Sequence, residues 1–125
     1  MITTTWHKSI GIVQYGPGKR CVLLVDSSIV DYYISLIPKY INFNKQKWDS
    51  HVSICRNYEN PTSWDVWSGK SINFEYSNVI DCDETYLWLN VKTPDIASIR
   101  QLLGLPPIPP WRNYFHITLG NFKHV

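Results

Sequence analysis

The sequence predicts an α+β fold: two pseudo-symmetric lobes of antiparallel strands with flanking helices, closing on a central cleft. Three observations carry the prediction. Periodic segments follow the order strand, strand, helix, strand, and then that order repeats. The last strand of each half bears one four-residue pattern of His, apolar, hydroxyl, apolar: His51-Val52-Ser53-Ile54 and His116-Ile117-Thr118-Leu119. The length of 125 residues is that of one domain, so residues 1–125 are expected to fold as a single unit.

Ile10 to Tyr15 alternates as a strand does, Gly16-Pro17-Gly18 is a turn signal, and Lys19 to Val25 continues as a second strand, so the chain opens on a hairpin. Asp26 can cap a helix over about Ser28 to Ile37, with Ile29, Tyr32, Tyr33 and Leu36 at helical spacing and Pro38 as its stop. Ile41 to Asp49 reads as polar, basic and irregular. The first His strand runs over about Ser50 to Arg56. A loop over 57–70 holds Pro61, Trp64, Trp67 and Gly69.

Ser71 to Tyr76 is a strand with Ile72, Phe74 and Tyr76 on one face. Thr85 to Lys92 is another, with Tyr86, Trp88 and Asn90 opposing Leu87, Leu89 and Val91. Thr93-Pro94-Asp95 combines a hydroxyl cap, a first-turn proline and an acid. Ile96, Ile99, Leu102 and Leu103 form the expected buried stripe of that helix, and Gly104 suits its end. Leu105 to Pro110 is a proline-rich loop, and the second His strand spans about Tyr114 to Gly120.

Six Trp, eight Tyr and four Phe supply ample core and also suit a cleft in which bases stack. A net charge of +2 fits a small anionic substrate and is too weak for tracking along nucleic acid. No apolar run is long enough for a transmembrane helix, and the N-terminus lacks a signal-peptide pattern. Cys21, Cys55 and Cys82 have no Cys-x-x-Cys spacing and read as reduced thiols, which points to a cytoplasmic protein. Cys55 follows His51 by four residues, too far along a strand to share one tetrahedral ion easily. No metal, no other cofactor, no membrane and no obligate protein partner are expected.

In a strand, alternate side chains face the same way, so each tetrad puts its His and its hydroxyl on one face and its apolar residues on the other. Two such strands side by side would offer two imidazoles to serve as general base and general acid, and two hydroxyls to hold phosphoryl oxygens. By base composition alone, two hits among four His is roughly a one-in-a-thousand coincidence. His7-Lys8-Ser9 is a near miss, since Lys8 breaks the alternation, and His124 has no hydroxyl partner. Singly, His51 and His116 would read as strand histidines satisfied by their neighbours; as a matched pair they read as catalytic, with Ser53 and Thr118.

The tetrads, together with Val25-Asp26-Ser27-Ser28-Ile29-Val30-Asp31-Tyr32-Tyr33, Leu87-Trp88-Leu89-Asn90-Val91 and Leu103-Gly104-Leu105-Pro106-Pro107, resemble the two-histidine (2H) phosphoesterase superfamily. The Asp-Tyr-Tyr and Leu-Gly-Leu-Pro-Pro segments resemble its phage-associated branch, the Swiss-army-knife RNA-repair-like proteins that include anti-CBASS phosphodiesterases. Ser53 stands where that family more often has Thr, which keeps the donor and loses a methyl group. The resemblance implies a LigT-like fold and metal-independent cleavage of a nucleotide phosphodiester. His51 and His116 would then be acid and base in an order the sequence leaves open, and Ser53 and Thr118 would bind the phosphate. It implies a cyclic oligonucleotide second messenger as substrate and, for a phage-encoded protein, the host cytoplasm as its place of action. Cleavage of RNA ends bearing a 2′,3′-cyclic phosphate is the alternative, and a non-catalytic nucleotide-binding sponge is the second.

Further candidates for substrate binding are Tyr15 at the end of the first strand, as a stacking surface, and Arg56 and Lys123 just beyond the His strands, as phosphate partners. Trp111, before the second motif, and Trp64 and Trp67, after the first, are candidates for a lid or for core packing. Lys39, Lys45 and Lys47 form a basic stretch that reads as a solvated face able to draw in an anion.

Overall fold

The structure, a computed structural model, describes residues 4–16, 20–56, 59, 61, 67–108 and 114–125. Its elements are β1 (Trp6–Gly16), β2 (Arg20–Leu24), α1 (Ser27–Ser35), β3 (Asn44–Lys45), β4 (His51–Cys55), β5 (Ser71–Cys82), β6 (Tyr86–Lys92), α2 (Pro94–Leu102) and β7 (Phe115–Asn121). The expected order of strands and helices is present. The two-residue β3 is an addition inside the stretch read as irregular.

The arrangement of these elements differs from the predicted α+β pair of lobes and from the LigT-like fold. The strands run in the order β7-β4-β2-β1-β5-β6, and β6 pairs back to β7, so six antiparallel strands close into one barrel with β3 added beside β7. The described chain is mostly β, with two helices of nine residues each. Two seams join what the sequence presents as separate halves. β1 and β5 extend to 11 and 12 residues and pair from Trp6↔Ser77 to Ile12↔Ser71. At the other seam Val52 of β4 pairs with Ile117 of β7. Extended edges expose unpaired N–H and C=O groups, and closure satisfies them against each other.

Alternation divides the sheet into two faces. Val13, Leu23, Val52, Ile54, Leu89, Val91, Ile117 and Leu119 are buried in one cluster with Ile29, Val30 and Tyr33 of α1 and Ile96, Ile99 and Leu103. The opposite face carries the polar residues of both tetrads. At about 25 cal/mol per Å² of apolar surface removed from water, this shared core is the main driving force that fixes which face turns inward.

Local signals set the helix ends. The Asp26 carboxylate accepts from Ser28 N at 2.9 Å. Thr93 Oγ1 accepts from Ile96 N at 3.4 Å and donates to the Asn73 carbonyl at 3.0 Å, tying the cap of α2 to β5. Gly104, at φ +80°, ends α2: its N–H donates to the Gln101 carbonyl and that of Leu105 to the Arg100 carbonyl. This is a Schellman ending, which favours a residue without Cβ.

The buried stripe of α2 is Ile96, Ile99, Arg100 and Leu103, and Leu102 is exposed, contrary to the predicted stripe. Tyr32 and Leu36 of the α1 segment are likewise exposed, and Val30 is buried in their place. Arg100 is tolerated inside because its donors are used: Nη1 and Nη2 reach Glu59 Oε1 and Oε2 at 3.1 and 2.7 Å, Nη1 the Ile54 carbonyl at 2.8 Å, and Nε the Pro106 carbonyl at 2.7 Å.

Candidate active site

The pairing of Val52 with Ile117 places the two tetrads side by side. Counting outward along an antiparallel pair sets His51 beside Thr118 and Ser53 beside His116, all four on the face opposite the core. Each imidazole therefore neighbours the hydroxyl of the other motif, and the two imidazoles lie on a diagonal of the ladder. β2 and β6 flank the four residues: Leu24 and Val22 pair with His51 and Ser53, and Asn90 and Trp88 with His116 and Thr118. Asn90 is itself held, accepting from Trp88 Nε1 at 2.9 Å and donating to Asp81 Oδ2 at 3.3 Å.

All four tetrad residues line a cleft of about 580 Å³, within the usual range of small-ligand sites, about 300–1,000 Å³. Arg20, Arg56 and Lys123 bring positive charge to the same cleft, and Trp48 and Tyr86 bring aromatic faces. Arg56 and Lys123, expected as phosphate partners, both line this cleft. The Arg56 backbone N–H donates to Glu59 Oε1 at 2.9 Å, so the buried Arg100–Glu59 pair also steadies the residue that follows β4. Lys123 is positioned from β3: Asn44 Nδ2 donates to the Lys123 carbonyl at 2.6 Å and to Asn121 Oδ1 at 3.0 Å. Its ammonium lies 5.0 Å from the centre of the Tyr86 ring.

His51 has a defined tautomer. Its Nδ1 lies 2.7 Å from the Asp49 carbonyl oxygen, which can only accept. Nδ1 therefore carries the hydrogen, and in the neutral ring Nε2 carries the lone pair. Burial lowers the pKa of this imidazole below its ordinary 6.5, and the Arg20 and Arg56 charges push the same way, against the opposing effect of the Asp49 carbonyl. This favours the neutral ring, whose lone pair is at Nε2.

Tyr15 lies apart from this cleft. It lines an adjoining cavity of about 170 Å³ that shares Arg20, Trp48 and His51 with the main cleft. Its hydroxyl accepts from Trp67 N at 3.3 Å, and burial pushes its pKa up. Trp67 packs half-buried against the core. Trp111 and Trp64 lie outside the described residues, as does most of the predicted 57–70 loop. Lys39, Lys45 and Lys47 are exposed, as a solvated face requires.

Sequence reasoning passed over Arg20 and Trp48. Arg20 shares the face of Val22 and Leu24 by alternation, a signal that becomes informative only once β2 is known to lie beside β4. Trp48 sits in the segment read as irregular and is 71 % exposed. Among the described residues no group of three or more His, Cys, Asp and Glu side chains is placed to hold a metal ion. Compared with known proteins, the chain matches no family model, no curated protein and no solved structure.

Proposed function

We propose that the cleft is the active site of a metal-independent phosphodiesterase whose substrate is a cyclic oligonucleotide second messenger. The observation that carries the reading is the placement of His51, Ser53, His116 and Thr118 on one face of two paired strands, inside a cleft that also holds Arg20, Arg56 and Lys123. The resemblance to 2H phosphoesterases supports the same chemistry. Its phage-associated branch favours the cyclic oligonucleotide over an RNA end.

His51 Nε2 takes the proton from the attacking water as its oxygen bonds to phosphorus. His116 gives a proton to the leaving ribose oxygen as the other P–O bond breaks. Ser53 and Thr118 donate to the non-bridging oxygens, and the cationic side chains stabilise the charge that builds on them. After turnover His51 holds a proton and His116 lacks one, and exchange with solvent restores both.

The test is a product assay in excess EDTA with cyclic di- and trinucleotides and an RNA end bearing a 2′,3′-cyclic phosphate, beside the His51→Ala/His116→Ala double variant. Cleavage of a cyclic oligonucleotide by the natural chain alone supports the proposal and identifies the ring. Cleavage of the RNA end alone transfers the activity to RNA processing. Tight binding by both proteins without cleavage makes the cleft a nucleotide sponge, and activity lost to EDTA and restored by one divalent ion overturns the metal-free mechanism.

A further inference from the structure

Cys21 of β2 and Cys55 of β4 are directly opposed across the sheet, and both are fully buried. Opposed residues of an antiparallel pair have Cα atoms about 4.5 or 5.5 Å apart, depending on the pair type. A disulfide spans Cα separations of about 4.4–6.8 Å, so the backbone already holds the two residues at bonding range. Both side chains belong to the one buried core cluster, which places both sulfurs on the same side of the sheet. The ladder shifts register between Cys21 and Val22, and Cys55 is the last residue of β4. The pair thus sits at an irregular strand end, where local opening is easiest.

We propose that Cys21 and Cys55 are a redox-active pair that closes to a reversible intramolecular disulfide when the protein meets a peroxide. The proposal is independent of the phosphodiesterase reading.

Cys55, the last residue of β4, attacks first as the thiolate. Its sulfur bonds to one peroxide oxygen as the O–O bond breaks. The departing hydroxide takes up the proton that Cys55 released on ionising and leaves as water, and Cys55 is left as a sulfenic acid. The Cys21 sulfur then attacks the Cys55 sulfur, the S–O bond breaks, and the hydroxide released leaves with the Cys21 proton as a second water. Two thiols lose two electrons and two protons, and one hydrogen peroxide becomes two waters. The new bond joins β2 to β4 one residue from Arg20 and one from Arg56, both of which line the cleft.

Cys82 is exposed, and the Cys82→Ser chain removes it as a source of intermolecular bonds. That protein, folded, is treated with hydrogen peroxide, quenched with catalase, denatured, labelled with N-ethylmaleimide and weighed intact. The expected product is monomeric, lighter than the untreated chain by two hydrogens and unlabelled. It contains a linked Cys21–Cys55 peptide and returns to two labelled thiols after dithiothreitol. The oxidised form should also melt at a higher temperature, because the bond closes the loop between residues 21 and 55 in the unfolded chain. Full labelling of both cysteines after peroxide, added oxygen on either sulfur without a cross-link, or dimers joined through these residues would each overturn the proposal.

Discussion

Val52 and Ile117 are partners across β4 and β7, the one pair joining those two strands. Both side chains are fully buried on the core face. Their pairing leaves His51, Ser53, His116 and Thr118 on the other face, with each imidazole beside the opposite hydroxyl. A slip of one residue would turn one tetrad into the core, so burial of two aliphatic side chains holds the register of the site.

Replacing either imidazole should remove a proton-transfer role. His51→Ala and His116→Ala are each expected to lower kcat by roughly 10²–10⁴, and the double variant should lose much less than the product of the two, since the groups act as a unit. Ser53→Thr should keep activity, because the donor remains, and Ser53→Ala should lose part of it. Turnover of the substrate identified in EDTA checks these outcomes, with thermal melting to show that each variant is folded.

The pH profile should be bell-shaped, with its acidic limb below pH 6.5, the ordinary imidazole value. His51 must be neutral to accept a proton, and its lowered pKa lets it be neutral at lower pH. Arg20→Gln and Arg56→Gln each remove a charge that disfavours the imidazolium, so both should move the acidic limb to higher pH. Burial is the larger cause, so neither should move it by the whole shift. The same lowered pKa ties His51 to stability. Its contribution is complete above pH 6.5, the unfolded value, and is lost as pH falls through the lower folded value. Profiles of kcat/KM and of melting temperature against pH check both signs.

Arg100 and Glu59 form a buried, bidentate pair whose removal from one side leaves a charge unpaired. Arg100→Met and Glu59→Gln should each destabilise the protein by about 3–5 kcal/mol, and replacing both by apolar residues of similar volume should recover much of that loss. Urea unfolding of the two single variants and the double variant measures the coupling. Because Glu59 also accepts from the Arg56 backbone N–H, Glu59→Gln should raise KM as well.

Gly120 lies where β3 crosses β7, and a Cβ there would collide with the Asn44 carbonyl oxygen and reach Phe43 Cδ2 at 2.7 Å. The oxygen belongs to backbone and cannot turn aside. Gly120→Ala should destabilise the protein by about 1–3 kcal/mol, as overpacking does. It should also loosen the hold of Asn44 on Lys123, raising KM more than it lowers kcat. Denaturant midpoints and steady-state kinetics separate the two effects.

Individual elements were legible because their signals are local. Alternation around His51 and His116, the Thr93 cap, and Gly104 after a helical stripe each act within one or two turns of chain, and each stands in the structure where the sequence put it. Arg100 escaped notice because a charged residue on an apolar stripe reads as solvent-facing until Glu59, 41 positions away, is known to meet it. β3 escaped because two residues have no period, and its partner is β7.

By itself, then, the sequence determined every strand but β3, both helices, the inward and outward faces of the two His strands, and the four residues that share a face. The tertiary structure decided that the halves close as one barrel rather than stand as two lobes, through the long β1–β5 seam and the short β4–β7 seam. It also decided which further residues, Arg20 and Trp48 among them, complete the cleft. The physical reason is that periodicity and capping depend on neighbours in the chain, whereas strand closure and charge placement depend on pairings between segments far apart in sequence, whose loop-closure entropy only a shared core offsets.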